Sequence, residues 1–169
     1  MLASQARAEA KISEIKIDLD GGRVLTSFTL RDAFDRRLSE RVDSGLPTSI
    51  LYRFELARDR KRWWDQKVKG ATLEVLTMYD AVTREYTVHY KLDDKLIESR
   101  TVRERKALEE AMTTVDQIPI FSLAGLPPEW RLLVKVEAET GSRTILSFIP
   151  VTINTDWKES RKFRAPRQP

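Results

Sequence analysis

Ile50-Leu51-Tyr52-Arg53-Phe54-Glu55-Leu56 alternates apolar and polar side chains without a break, the period-2 pattern of a strand with one face buried. Ile50, Tyr52, Phe54 and Leu56 share that face. The same pattern recurs on both sides. Downstream, Leu73, Val75, Thr77 and Tyr79 alternate, and so do Tyr86, Val88, Tyr90 and Leu92. The short connection 80–84 predicts a hairpin between them. Upstream, Ile15, Ile17 and Leu19 lead through Asp20-Gly21-Gly22 into Val24, Thr26, Phe28 and Leu30. Glycine accepts positive φ without steric cost, so this junction reads as a second hairpin.

Two stretches change period. Phe34, Leu38 and Val42 recur every four residues, one stripe of a helix, with Asp32 placed to cap it and Gly45 and Pro47 to end it. Asp35, Arg36, Arg37, Glu40 and Arg41 form its solvated face. Thr101-Val102-Arg103-Glu104 has the form of a capping box. It predicts a second helix to about Val115, with Leu108, Ala111, Met112 and Val115 inward. After Pro119 and Pro127-Pro128, Trp130, Leu132, Val134 and Val136 alternate again. Gly141-Ser142 is expected to turn, and residues 144–155 to form the last strand. Asp93-Asp94-Lys95 turns into a short strand near Leu96 and Ile97. The expected fold is mainly β: about eight antiparallel strands in a two-layer β-sandwich, with two short helices. A single domain over 11–157 is flanked by an Ala-rich start, 1–10, and a basic, mobile tail, 158–169.

Composition narrows the chemistry. A chain of 169 residues, 41% hydrophobic, suits one domain with a sizeable core. No apolar run approaches the roughly 20 residues of a membrane helix. There is no cysteine, which removes disulfides, thiolate nucleophiles and thiolate metal sites. The one histidine, His89, lies on the polar parity of a strand and reads as solvent-facing. No nucleophile elbow, phosphate loop or zinc spacing accompanies it. Neither catalytic residues nor a cofactor or metal site are therefore expected. Residues 1–10 contain the small-x-small patterns Ala6-Arg7-Ala8 and Ala8-Glu9-Ala10. They read as the cut end of a signal peptide or as a poorly ordered start.

The net charge of +4 is unevenly placed: residues 53–69 hold seven Lys/Arg against three Asp/Glu. There Arg58, Arg60, Lys61, Arg62, Lys67 and Lys69 interleave with Trp63 and Trp64. In a strand-like segment adjacent tryptophans point to opposite sides, so at least one is expected in the core, the other under Arg or Lys stems. The loop is nevertheless the candidate binding surface, because arginine beside exposed aromatic area suits recognition of an acidic partner.

The order strand, strand, helix ending at Gly45-Leu46-Pro47, the strand 51–56, the basic loop with Trp63-Trp64-Asp65, the hairpin with Tyr79, Arg84, Glu85 and Tyr86, and the terminal Thr155-Asp156-Trp157 resembles a bacterial family, domain of unknown function 4390. Its members are typically exported, so the resemblance implies a periplasmic or envelope-associated protein, the alternative being cytoplasmic. It implies no activity. In the familiar pattern a further tryptophan often follows the terminal Asp-Trp; here Phe163 takes that place. The expected function is a non-enzymatic binding or assembly module of the envelope, contacting an acidic protein through the basic Trp loop. An anionic lipid surface is the second candidate partner. The alternatives are a carboxylate-dependent envelope hydrolase, or a nucleic-acid-binding domain if the chain is cytoplasmic.

Overall fold

The strand read at residues 50–56 lies at the centre of the larger of two sheets in the computed structural model, which describes residues 9–146 and 148–166. In chain order the elements are β1 (Lys11–Ile12), β2 (Lys16–Asp20), β3 (Arg23–Arg31), α1 (Arg36–Asp43), β4 (Thr48–Arg58), β5 (Gln66–Asp80), β6 (Glu85–Leu92), β7 (Lys95–Val102), α2 (Arg105–Thr113), β8 (Thr114–Ser122), β9 (Leu132–Ile145), β10 (Ile149–Asn154) and β11 (Lys158–Glu159). All pairings are antiparallel. The large sheet runs β10-β9-β4-β5-β6-β7, with β11 also on β9. In the small sheet β1 and β2 follow one another along β3, and β8 pairs β3.

The two sheets form the expected sandwich. Its core joins Val24, Phe28 and Leu30 of β3 to Ile50, Tyr52, Phe54 and Leu56 of β4, and to Leu73, Val75, Val88 and Tyr90 beyond them. Phe28 meets Tyr52 edge-on at 5.4 Å between ring centroids and Phe54 at 6.0 Å. On the outer face of the large sheet Arg53 bridges Glu137 at 3.1 Å and Glu139 at 2.8 Å, tying β4 to β9. Among the described residues no helix is long and apolar enough to cross a membrane.

Two tyrosines anchor α2. The Tyr52 hydroxyl donates to the Met112 carbonyl at 2.8 Å and the Tyr90 hydroxyl to the Ala111 carbonyl at 2.6 Å. These are last-turn carbonyls of α2 that lack a partner within the helix. Burial pushes both phenols above the ordinary tyrosine value of 10.0. In the unfolded chain they titrate near that value. Their neutral-state stabilisation is therefore whole below about pH 10 and is lost as pH rises above it towards the folded-state values. Urea denaturation across that range should show stability falling by up to about 1.4 kcal/mol per pH unit per tyrosine. The fall should be shallower in Tyr52→Phe; an identical slope in that variant would rule Tyr52 out as a source.

Several expectations are corrected. The cap of α1 is Asp35, whose carboxylate accepts from Leu38 N at 2.8 Å, rather than Asp32, which sits outside the helix at φ 57°. Arg37 leaves the solvated face to donate to the carbonyls of Thr140 and Ser142, both at 3.2 Å. Gly141 makes room for it, since a Cβ there would stand 2.5 Å from Arg37 Nη1. Gly141 is thus not a turn. β9 runs through it, bulged, and the reversal comes after Ile145. The capping box is absent: Thr101 pairs Thr87 within β7, and α2 starts after Glu104 without a side-chain cap. Val115 belongs to β8, not α2. Among the described residues the strands number eleven, against eight expected.

The C-terminal segment is docked rather than mobile up to Phe163. Residues 149–163 run along β9 almost continuously: Thr155 N donates to Ala138 O, Ser160 N to Val134 O, and Phe163 and Leu132 exchange both backbone bonds. Phe163 is buried in the core. Of residues 1–10, expected to be a leader end or a poorly ordered start, 1–8 lie outside the described residues, as do 167–169 of the expected tail.

Candidate binding surface

β4 and β5 stay paired out to Arg58 opposite Gln66, so residues 59–65 cap the longest hairpin of the large sheet. The cap is a turn and not an extension of either strand: Trp63 N donates to Arg60 O at 3.0 Å. A turn abolishes strand alternation, and both indoles end outside. Trp63 is 76% exposed and Trp64 94%. The expectation that one would enter the core is overturned.

The charges of this region are sorted by position. Asp59 and Asp65, which bound the turn, face the body. Asp59 meets Lys162 at 3.0 Å and Arg131 at 3.5 Å, with its side chain only 11% exposed. Asp65 meets Lys135 at 3.0 Å, and Lys135 also holds Glu159 at 3.0 Å. Burial pulls the Lys135 ammonium down, but the two carboxylates together outweigh it and leave its pKa raised. Of the candidate residues, three are engaged below the turn. Arg58 lies over the Trp130 ring at 4.3 Å, Lys67 pairs with Glu55 at 3.0 Å, and Lys69 donates to the Ser122 carbonyl at 2.6 Å. Arg60, Lys61 and Arg62 are exposed, and among the described residues their side chains hold no ion pair or hydrogen bond. The structure thus narrows eight candidates to five consecutive residues: three unpaired cations followed by two bare indoles.

Two other surface features stand out among the described residues. Val82, Leu146 and Phe148 are exposed at the opposite end of the large sheet, where the β5–β6 and β9–β10 turns lie. A cleft of about 720 Å³ opens between β1, the β3–α1 corner and the β10–β11 connection. Asp32, Asp156, Asn154 and Trp157 line it, together with Asp35 and Arg37, which are tied to the helix cap and to β9. His89 meets Ser99 Oγ at 2.8 Å on the outer side of β6. Among the described residues no group of three or more His, Asp or Glu is placed to hold a metal.

The fold and surface define a two-sheet β-sandwich carrying a basic, aromatic hairpin tip. Residues 7–158 match the family model of DUF4390, a domain of unknown function, and the chain belongs to that family. No curated protein and no solved structure matches it.

Proposed function

We propose that the chain is a binding module of the bacterial cell envelope, not an enzyme, and that residues 60–64 are its docking surface for a negatively charged partner. One observation carries this reading. Every carboxylate of the hairpin end is turned inward and neutralised, while three adjacent cations and two indoles face water. A loop needed only for solubility has no use for two exposed indoles, and exposed aromatic area marks contacts. Placement in the envelope is supported by the resemblance to an exported family and by the small-x-small spacing at residues 6–10. A nucleic-acid reading fits less well: three free cations allow a salt slope of only about −2.7, and the neighbouring bases Arg131, Lys135, Lys162 and Lys67 are engaged by carboxylates.

The test is retention on a washed total-envelope preparation. Wild type should be retained and released by salt, since screening shortens the reach of exposed charges. Trp63→Ala/Trp64→Ala and Arg60→Gln/Lys61→Gln/Arg62→Gln should each wash through. Surface changes of this kind alter stability by about 0.5 kcal/mol or less, so loss of folding will not mimic loss of binding. Equal retention of all three proteins would remove the tip from the docking surface.

A further inference from the structure

We infer that the partner of this tip is an anionic phospholipid bilayer, with the cations at the phosphates and the indoles in the headgroup layer. The inference rests on the docking role proposed above and adds the nature of the partner. Shape is the first argument. Trp64 at 94% exposure has almost no neighbours within its own chain, and Trp63 at 76% has few. The five free residues form one convex turn beyond the last paired residues, Arg58 and Gln66. A stable protein interface buries about 800 Å² per partner, with an anchoring centre ringed by water-excluding contacts. Around this tip the residues that would make such a ring are already paired with one another, as Asp59 with Lys162 and Lys67 with Glu55 show. A bilayer surface is soft, closes around a convex probe and requires no ring.

Chemistry is the second argument. Tryptophan concentrates at membrane interfaces, because its large apolar ring and single N–H donor suit the boundary between headgroups and acyl chains. Arginine and lysine beside it gain from an anionic leaflet only where no carboxylate of the protein competes. Here Asp59 and Asp65, the two carboxylates flanking the cations, are held by Lys162, Arg131 and Lys135. Those three bases lie outside the hairpin, on the β8–β9 connection, β9 and the C-terminal segment. The body thereby screens the acids of the tip from the surface that the tip meets. Two indoles and three cations make a reversible contact, not a permanent anchor.

The experiment uses the full chain with vesicles of phosphatidylcholine alone, vesicles of phosphatidylcholine mixed with phosphatidylglycerol, and soluble poly-glutamate. Sedimentation measures partition, and brominated phosphatidylcholine in the mixed vesicles reports indole contact by quenching. The wild type should bind the mixed vesicles, ignore the neutral ones and show quenched emission. Arg60→Gln/Lys61→Gln/Arg62→Gln should lower partition on the order of a hundredfold at low salt, each cation contributing about fivefold. Trp63→Ala/Trp64→Ala should lose the quenching, with Trp130 and Trp157 still emitting. If the wild type ignores the mixed vesicles yet binds poly-glutamate through the tip, the bilayer is overturned, an acidic protein takes its place and the docking role stands. If it binds neither, both are overturned. If vesicles bind equally well to the wild type and both variants, the tip is not the membrane contact and the inference fails.

Discussion

Replacing Phe28 with alanine is expected to cost about 3–5 kcal/mol of folding stability, the range for deleting a buried aromatic ring. Phe28 is the side chain through which the small sheet reaches both aromatic residues at the centre of the large one, Tyr52 and Phe54. Its removal opens a cavity between two sheets that cannot close over it, because each is held rigid by its own ladder. Against a total of about 5–15 kcal/mol for a domain, the loss is a large fraction. The urea midpoint should fall by roughly 2 M with an unchanged slope. A loss below about 1 kcal/mol would mean that the sheets do not depend on this contact, and the packing described here would need revision.

A chain ending at Lys158 is expected to lose about as much, roughly 3–5 kcal/mol. The cut removes the buried ring of Phe163 and both of its backbone bonds to Leu132. It also removes the Ser160 bonds to Val134 and the Arg161 guanidinium on the Ile17 carbonyl, which joins the C-terminal segment to the small sheet. Leu132 and Val134, now fully buried, would lose part of their cover. The family match stops at residue 158, so it marks a boundary that falls short of the folded unit by a core residue. Thermal melts of the shortened and full chains decide the point. Equal melting temperatures would show that residues 159–166 lie on the fold without stabilising it. A second reading comes from the same sample. Asp59 loses Lys162, so the carboxylate held beneath the tip keeps Arg131 alone.

What could be read from the sequence follows from how local each signal is. β4, β5 and β6 were legible because one face is buried along nearly all of β4, over residues 71–77 of β5 and at Val88 and Tyr90 of β6, and the sequence alternates across those stretches. α1 was legible from its stripe, with the cap misplaced by one turn because Asp32 and Asp35 are equally good capping residues locally. β8 was missed for a physical reason. Register shifts at Val24/Leu25 and Thr26/Phe28 break its alternation, and Gln117 adopts φ 51°, so no period survives in residues 114–122. Pro119 looked like a terminator, yet β8 pairs only β3, and an edge strand tolerates proline. The Thr-x-x-Glu pattern misled because β6 offers residues 95–102 a ladder that no local pattern reveals.

The candidate surface was legible as composition and not as geometry. Charge counting found residues 58–69, and the Trp pair stood out. Which cations were free depended on partners 70 or more positions away, Arg131, Lys135 and Lys162, and on a turn that sends both indoles outward. Alternation predicts opposite sides only for extended backbone, and the Trp63–Arg60 bond is the mark of its failure. Phe163 carried a faint signal, a single aromatic residue in a polar segment. Only its pairing with Leu132 explains why it is there.

The pairing of β4 with β9 has a consequence for the order in which the molecule is made. β4, β5, β6 and β7 are joined by short turns and meet as soon as they are synthesised. The other edge of β4 bonds to β9, whose first residue comes 74 positions after the last of β4 (132 − 58). At about 5–20 residues per second, a ribosome needs roughly 4–15 s to cover that distance. For those seconds the main-chain donors and acceptors of Leu51 to Arg58 that β9 will later occupy stand open on a growing chain. Until β9 arrives, any second unfolded copy nearby competes with it for that open edge, so the share of molecules that fold alone should fall as the local concentration of unfolded chains rises.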